Sequence, residues 1–180
     1  VAGARVLHTL IDDPDRNVRI AAANALAAVA APILNRKVIR DGRRLKFILD
    51  LLPSEKPLIY ASQSGVPRIT IFGLSTGFRR PLLARLRDNR LMIRAESESE
   101  TPPEVFYQSR GNVGGTRHPI APTVANLVLL LGQDPGQSRS GEGLNFAYGE
   151  IVEVLHELAE QDAIEAPVVA RMSPLAERIR

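Results

Sequence analysis

Apolar positions recur three and four residues apart from Leu7 to Val29, on either side of a break at Asp12-Asp13-Pro14-Asp15. This spacing predicts two helices and a tight turn. The first helix offers Val6, Leu7, Leu10 and Ile11 on one face. The second offers Val18, Ala21, Ala22, Ala25, Leu26 and Val29. Pro14 cannot continue the first helix but suits the start of the second. Asp13, Asp15 and Asn17 are candidate N-caps there. Pro32 ends the pair. From 33 to 52 the pattern leaves two readings open: short strands, Val38-Ile39 and Leu45 to Leu49, about an Asp41-Gly42 turn, or a helix from Leu45 to Leu52. Pro53 and Pro57 bracket a linker, and the domain boundary is expected there, with residues 1–52 on one side and 53–180 on the other.

Alternation takes over after Pro57. Strands are expected at Leu58 to Ser62, Pro67 to Phe72, Leu82 to Arg87, Leu91 to Ala95 and Glu104 to Ser109, forming one small antiparallel sheet over 57–110 with a buried and a wet face. Helices over 121–180 are to cover the buried face. Ala121 to Leu131 carries Val124, Leu127, Val128 and Leu131, and Ala147 to Gln161 carries the stripe Ile151, Val154, Leu155 and Leu158. Gln133 to Gly143 reads as a flexible loop, and a short last helix is expected within Val168 to Arg180, after Pro174. The fold class is therefore α+β.

Composition narrows the chemistry. The 180 residues are 44% apolar, which is enough for a core, but only 4% aromatic with no Trp. With no Cys, disulfides, thiolate metal sites and Cys nucleophiles are excluded. That composition fits a reducing cytosol and equally a periplasm. No apolar run approaches a membrane span. The net charge is only +3, yet Arg36, Lys37, Arg40, Arg43, Arg44 and Lys46 crowd one stretch and Glu96, Glu98, Glu100 and Glu104 another.

The residues Leu7, Leu10, Asp13, Pro14, Val18, Arg19, Ala22, Ala25 and Leu26 resemble a HEAT repeat, a helical-hairpin solenoid unit. That resemblance implies that Asp13 and Arg19 brace one repeat against the next. Such a hairpin cannot bury its apolar face alone. Either further repeats precede Val1 or the β region caps the pair.

Several motifs bear on catalysis. Gly73-Leu74-Ser75-Thr76-Gly77 matches the G-x-S-x-G elbow of serine hydrolases, but Phe78-Arg79-Arg80-Pro81 does not supply the helix that must follow the Ser. Gly111 to His118 is a Gly-rich stretch ahead of a helix and lacks the G-K-[ST] ending of a P-loop. His156-Glu157 starts like H-E-x-x-H, without the second His. No pair of carboxylates is spaced for acid and base work. No catalytic, cofactor or metal residue is therefore assigned.

Arg68, Arg85, Arg87 and Arg94 fall in the strands and, with Arg36 to Lys46, Arg79, Arg80 and Arg90, suggest a cationic sheet face for nucleic acid. Few aromatics interleave to stack bases. The competing reading is a solvated face paired with the glutamate stretch.

A second resemblance spans the rest of the chain. Pro57-Leu58-Ile59-Tyr60, Gly65 to Gly73, Asn89 to Ile93 and Gly143 to Tyr148 are similar to C-terminal regions of bacterial flagellar P-ring-like proteins. It implies a non-catalytic envelope component that acts in the periplasm, and carries over no catalytic residue. The sequence reading is thus a structural, protein-protein interaction module whose partners are its own copies or envelope assembly components, with Asp13, Arg19, Arg68, Arg85, Arg87 and Arg94 as the residues to test. A nucleic-acid-binding module is the alternative and a serine hydrolase the third.

Overall fold

A computed structural model describes residues 2–98, 100–109, 114–136 and 141–171. The chain forms two compact units, one of Val1–Ile39, Leu45–Leu74 and Ala166–Arg180, the other of Arg40–Arg44 and Ser75–Glu165. The architecture is α+β. This division differs from a cut between 52 and 53. Strand β2 (Arg44–Leu52) bonds in parallel to β4 (Arg68–Phe72), and that pairing spans the Pro53–Pro57 linker.

In the first unit, helices α1 (Ala2–Leu10) and α2 (Arg16–Ala28) follow the expected pair closely. Asp15 is the N-cap and accepts a hydrogen bond from the Asn17 N–H. The buried face of α2 is Arg19, Ile20, Ala22, Ala23 and Leu26, one position round from the expected stripe, and Val29 is 67% exposed. A run of alanines offers no contrast by which to place the face, so the branched side chain at Ile20 decides it. Past α2, Ala30 takes a left-handed φ of 47°; its N–H bonds to Ala27 O and that of Ala31 to Leu26 O. This is a Schellman cap with alanine where glycine is usual. Ala30→Gly is expected to raise stability by about 0.5–1 kcal/mol, read from urea denaturation.

The sheet of this unit runs β1 (Asn35–Asp41), β2, β4, β3 (Leu58–Ser62), β9 (Val168–Arg171). Of the two readings left open at 33–52, strands about Asp41-Gly42 are the ones formed. β3 and β4 are antiparallel, whereas β2–β4 and β3–β9 are parallel. The single antiparallel sheet expected over 57–110 is therefore two sheets. β3 is buried at every position and β4 at all but its first, as strands covered on both faces must be. Val168–Arg171, to which no strand was assigned, is an edge strand; the short helix expected after Pro174 lies outside the described residues.

Leu52, Leu58, Tyr60 and Phe72 share one sheet face, and Ile11, Ile20, Ala22, Ala23 and Leu26 pack on it in one apolar cluster with Leu7 and Leu10 at its edge. The helical pair is thus capped by its own sheet.

The second unit holds the antiparallel sheet β5 (Leu82–Leu86), β6 (Leu91–Ala95), β7 (Glu104–Tyr107), β8 (Thr116–Pro119). β8 occupies the end of the stretch expected as a Gly-rich loop; residues 111–113 of that stretch lie outside the described ones. Helices α3 (Val124–Gly132) and α4 (Tyr148–Glu160) form where the 3.6-residue period placed them, and α4 packs along β5. Of the loop expected at 133–143, residues 137–140 are likewise not described. Ala84, Leu86, Leu91, Ile93, Ala95 and Val105 make the buried side of the sheet. Among the described residues no helix is long and apolar enough to cross a membrane.

Candidate functional site

Strand register puts the alternate residues of the second sheet on an open face. Leu83 lies opposite Arg94 and Arg94 opposite Glu104. One step along, Arg85, Met92, Phe106 and Arg117 form a continuous row across all four strands. Leu83 is 57% exposed, and the Arg117 guanidinium sits 5.7 Å from the centre of the Phe106 ring. The cations on this face have acidic neighbours: Arg94 pairs with Glu96, and Arg117 with Glu104. Exposed pairs of this kind contribute little to stability, but they lower the charge the face presents. The Pro81, Leu82 and Leu83 end of the face forms a shallow apolar depression beside Ala95.

Arg87 does not join that face. It begins the β5–β6 turn, where Arg87, Asp88 and Asn89 all have positive φ, and its side chain runs to α4. Nη2 bonds to Glu150 at 2.7 Å and Nη1 to Glu153 at 2.9 Å, while the Arg87 N–H bonds to Glu157. The guanidinium also lies over the Phe146 ring at 5.6 Å. Alternation alone puts Arg85 and Arg87 on one side; the turn breaks it. Arg79 pairs with Asp162, and Nη1 of Arg80 donates to the carbonyls of Glu96, Glu98 and Thr101.

The remaining residues singled out by sequence lie in the first unit. Arg19 is 8% exposed, and its Nη1 donates to the Asp13 carbonyl at 3.3 Å, so the contact is to backbone and not to the carboxylate. Its Nε has no hydrogen-bond partner. The Asp13 carboxylate instead accepts from the Asp15 N–H. Reversing the charge at Arg19 would damage the fold whatever it binds, so it does not test an interface.

Arg68 belongs to a buried charge cluster. Asp50, fully buried in β2, accepts Arg36 Nε at 2.7 Å and Nη2 at 3.0 Å, and also pairs with Arg68 Nη1. The hydrogen bonds it donates to Asp50 hold the Arg36 guanidinium above its ordinary pKa despite the burial that lowers it. Sequence reasoning missed Asp50, although a lone carboxylate inside the apolar run Phe47 to Leu52 is itself a signal: once buried it must find cations.

Asp12 has a comparable part at the α1–α2 turn. It accepts Ser54 Oγ at 2.7 Å and the Glu55 N–H at 2.9 Å. Burial pushes its pKa up, but these hydrogen bonds outweigh it and hold it below its usual value. A depressed folded-state pKa stabilises above the unfolded-state value and is lost as pH falls through the folded one. Stability is therefore expected to drop as pH falls below about 4, and Asp12→Asn to flatten that part of a pH-resolved thermal melt.

The hydrolase elbow is not formed. β4 ends at Phe72, residues 73–75 bend and turn, and no helix follows Ser75, Phe78 making an isolated bridge to Ile164. His156 lies on α4 and His118 on β8, its Nε2 2.9 Å from Thr116 Oγ1. Among the described residues no three His, Asp or Glu side chains group as metal ligands. Comparison with protein-family models, with curated proteins and with solved structures finds no match to this chain.

Proposed function

We propose that this chain is a non-catalytic protein-protein interaction module that binds through the open face of the second sheet. One observation carries the reading: the row Arg85–Met92–Phe106–Arg117, in which Arg117 is paired with Glu104, flanked by Leu83 and by Arg94 paired with Glu96. Arg, Met and aromatic side chains are the residues enriched at protein interfaces, where Lys is depleted. No lysine lies on β5 to β8. The HEAT-like helical pair fits the same role as a scaffold element whose inner face is spent on its own sheet. The P-ring-like resemblance names the partners to try first, namely copies of this chain and envelope assembly components.

A nucleic-acid module is the second reading, favoured by Phe106 and Arg117 as a stacking pair. Paired affinity capture separates the two. Tagged wild-type chain and its Phe106→Asp variant serve as baits in nuclease-treated extract. Protein partners that survive nuclease and fall at least about tenfold on the variant support the module, since an anchor at the centre of an interface is worth ~2 kcal/mol or more. Loss of all partners on nuclease treatment supports the alternative.

A further inference from the structure

The basic stretch from Arg36 to Lys46 is not one surface. It makes the β1–β2 hairpin, where its cations have different surroundings. Arg36 is spent on Asp50, and Lys46 has a contact of its own. Lys37, Arg40, Arg43 and Arg44 are exposed, and among the described residues none of them forms an ion pair. Nη1 of Arg40 donates to the Arg43 carbonyl at 3.3 Å, which steadies the tip but leaves both charges uncompensated. Apart from the buried Asp50, Asp41 is the one carboxylate on the hairpin. Four cations thus stand against one acid. An edge strand such as β1 needs charge to resist pairing with another sheet, but one lysine serves that end. Like charges gathered round one turn also repel each other, a cost that an anionic partner removes.

Backbone geometry narrows the choice of anion. Gly42, with a φ of 56°, and Arg43 make a two-residue turn, so the ribbon ends sharply. Side chains alternate across a strand, which sets Lys37 and Arg40 on opposite faces. A two-stranded ribbon fits the major groove of B-form DNA, about 12 Å wide and bordered by phosphates on both sides. The corresponding groove of duplex RNA is too narrow to admit it. The large apolar residues exposed on the hairpin are Val38 and Leu45, both aliphatic, and its one aromatic, Phe47, is fully buried. It therefore offers no ring on which unpaired bases could stack and no aromatic anchor for a membrane surface.

We propose that the β1–β2 hairpin binds duplex DNA, its tip in the major groove and Lys37, Arg40, Arg43 and Arg44 on the flanking phosphates. Contacts to phosphate position the chain without reading base sequence. The site uses none of the residues of the open face of the second sheet.

Fluorescence anisotropy of the full chain with a labelled DNA duplex of about 20 base pairs, over a series of salt concentrations, tests this. Four phosphate contacts predict that log K falls against log salt with a slope of about −3 to −4. Lys37→Gln and Arg44→Gln are each expected to flatten that slope by about one, and together to weaken binding at low salt about tenfold or more. Both positions are exposed, so Tm is expected to stay unchanged. Phe106→Ala is expected to leave duplex binding intact, which separates the hairpin from a stacking surface on the second sheet. The proposal is overturned if the duplex does not bind at low salt, if the double variant keeps wild-type affinity and slope, or if Phe106→Ala weakens binding as much as the double variant does. It is equally overturned if duplex RNA, single-stranded DNA or phosphatidylglycerol vesicles bind as tightly as the DNA duplex.

Discussion

Asp50→Ala is expected to cost about 3–5 kcal/mol of stability, the loss seen when one partner of a buried ion pair is removed. Asp50 has no exposed surface and is hydrogen-bonded by two guanidiniums, those of Arg36 and Arg68, whose side chains are 26% and 17% exposed. Without the carboxylate, Arg36 of β1 and Arg68 of β4 lose the anion they share. Part of the loss is recoverable, because Arg36 has a route to solvent; Arg68, the more enclosed, has less. Arg36→Ala should therefore cost less than Asp50→Ala, since it leaves a one-to-one pair behind. Urea denaturation followed by circular dichroism measures both. A loss below about 1 kcal/mol for Asp50→Ala, the size of an exposed pair, would mean that the cluster is not what holds β1, β2 and β4 in register.

Phe72→Ala should be as damaging, at about 3–5 kcal/mol. Phe72 closes β4, is fully buried, and belongs to the cluster that joins Ile11, Ile20 and Leu26 of the helical segment to Leu52 and Leu58 of the sheet. Its truncation leaves a cavity where the helices rest. The size of the effect distinguishes two ways of supporting a helical hairpin. A pair stacked on neighbouring repeats would barely register a change in the sheet, whereas a pair capped by the sheet loses its platform. Leu83→Ala on the open face of the other sheet is the control, and should stay within about 0.5 kcal/mol of wild type.

Much of the local structure was legible because period and punctuation agree. Pro14 with its flanking aspartates marks the α1–α2 turn, Asp41-Gly42 marks the β1–β2 hairpin, and the stripe Ile151, Val154, Leu155 and Leu158 marks α4. What sequence could not show was partnership between distant segments. β3 pairs with β9 across more than a hundred residues, and nothing local to Leu58 to Ser62 announces it. The same burial on both faces removes the alternation that would have told one sheet from two. β8 is four residues long and polar, so it hides within a glycine-rich stretch.

The candidate site was legible in part for a related reason. Arg68, Arg85 and Arg94 are strand-borne as expected, whereas Arg87 falls in the turn after β5; of these, Arg85 and Arg94 lie on the open face. Where each guanidinium ends depends on acids far along the chain: Glu150 and Glu153 draw Arg87 away, and Asp50 draws Arg36 and Arg68. Met92 and Phe106, read as ordinary strand residues, give the face its apolar content only once register sets them side by side.

Hydroxyl-radical footprinting of the chain, free and in complex with a partner recovered by the paired capture, tests the open face most directly. Met92 and Phe106 carry readily oxidised side chains in the middle of the row, and Leu83 marks its edge. The account predicts that all three are modified in the free chain and that Met92 and Phe106 are protected in the complex, with no comparable change at Val6 or Val29 on the helical pair. Protection confined to Val6 and Val29, with Met92 and Phe106 as reactive as before, would contradict it and move the binding surface to the helices.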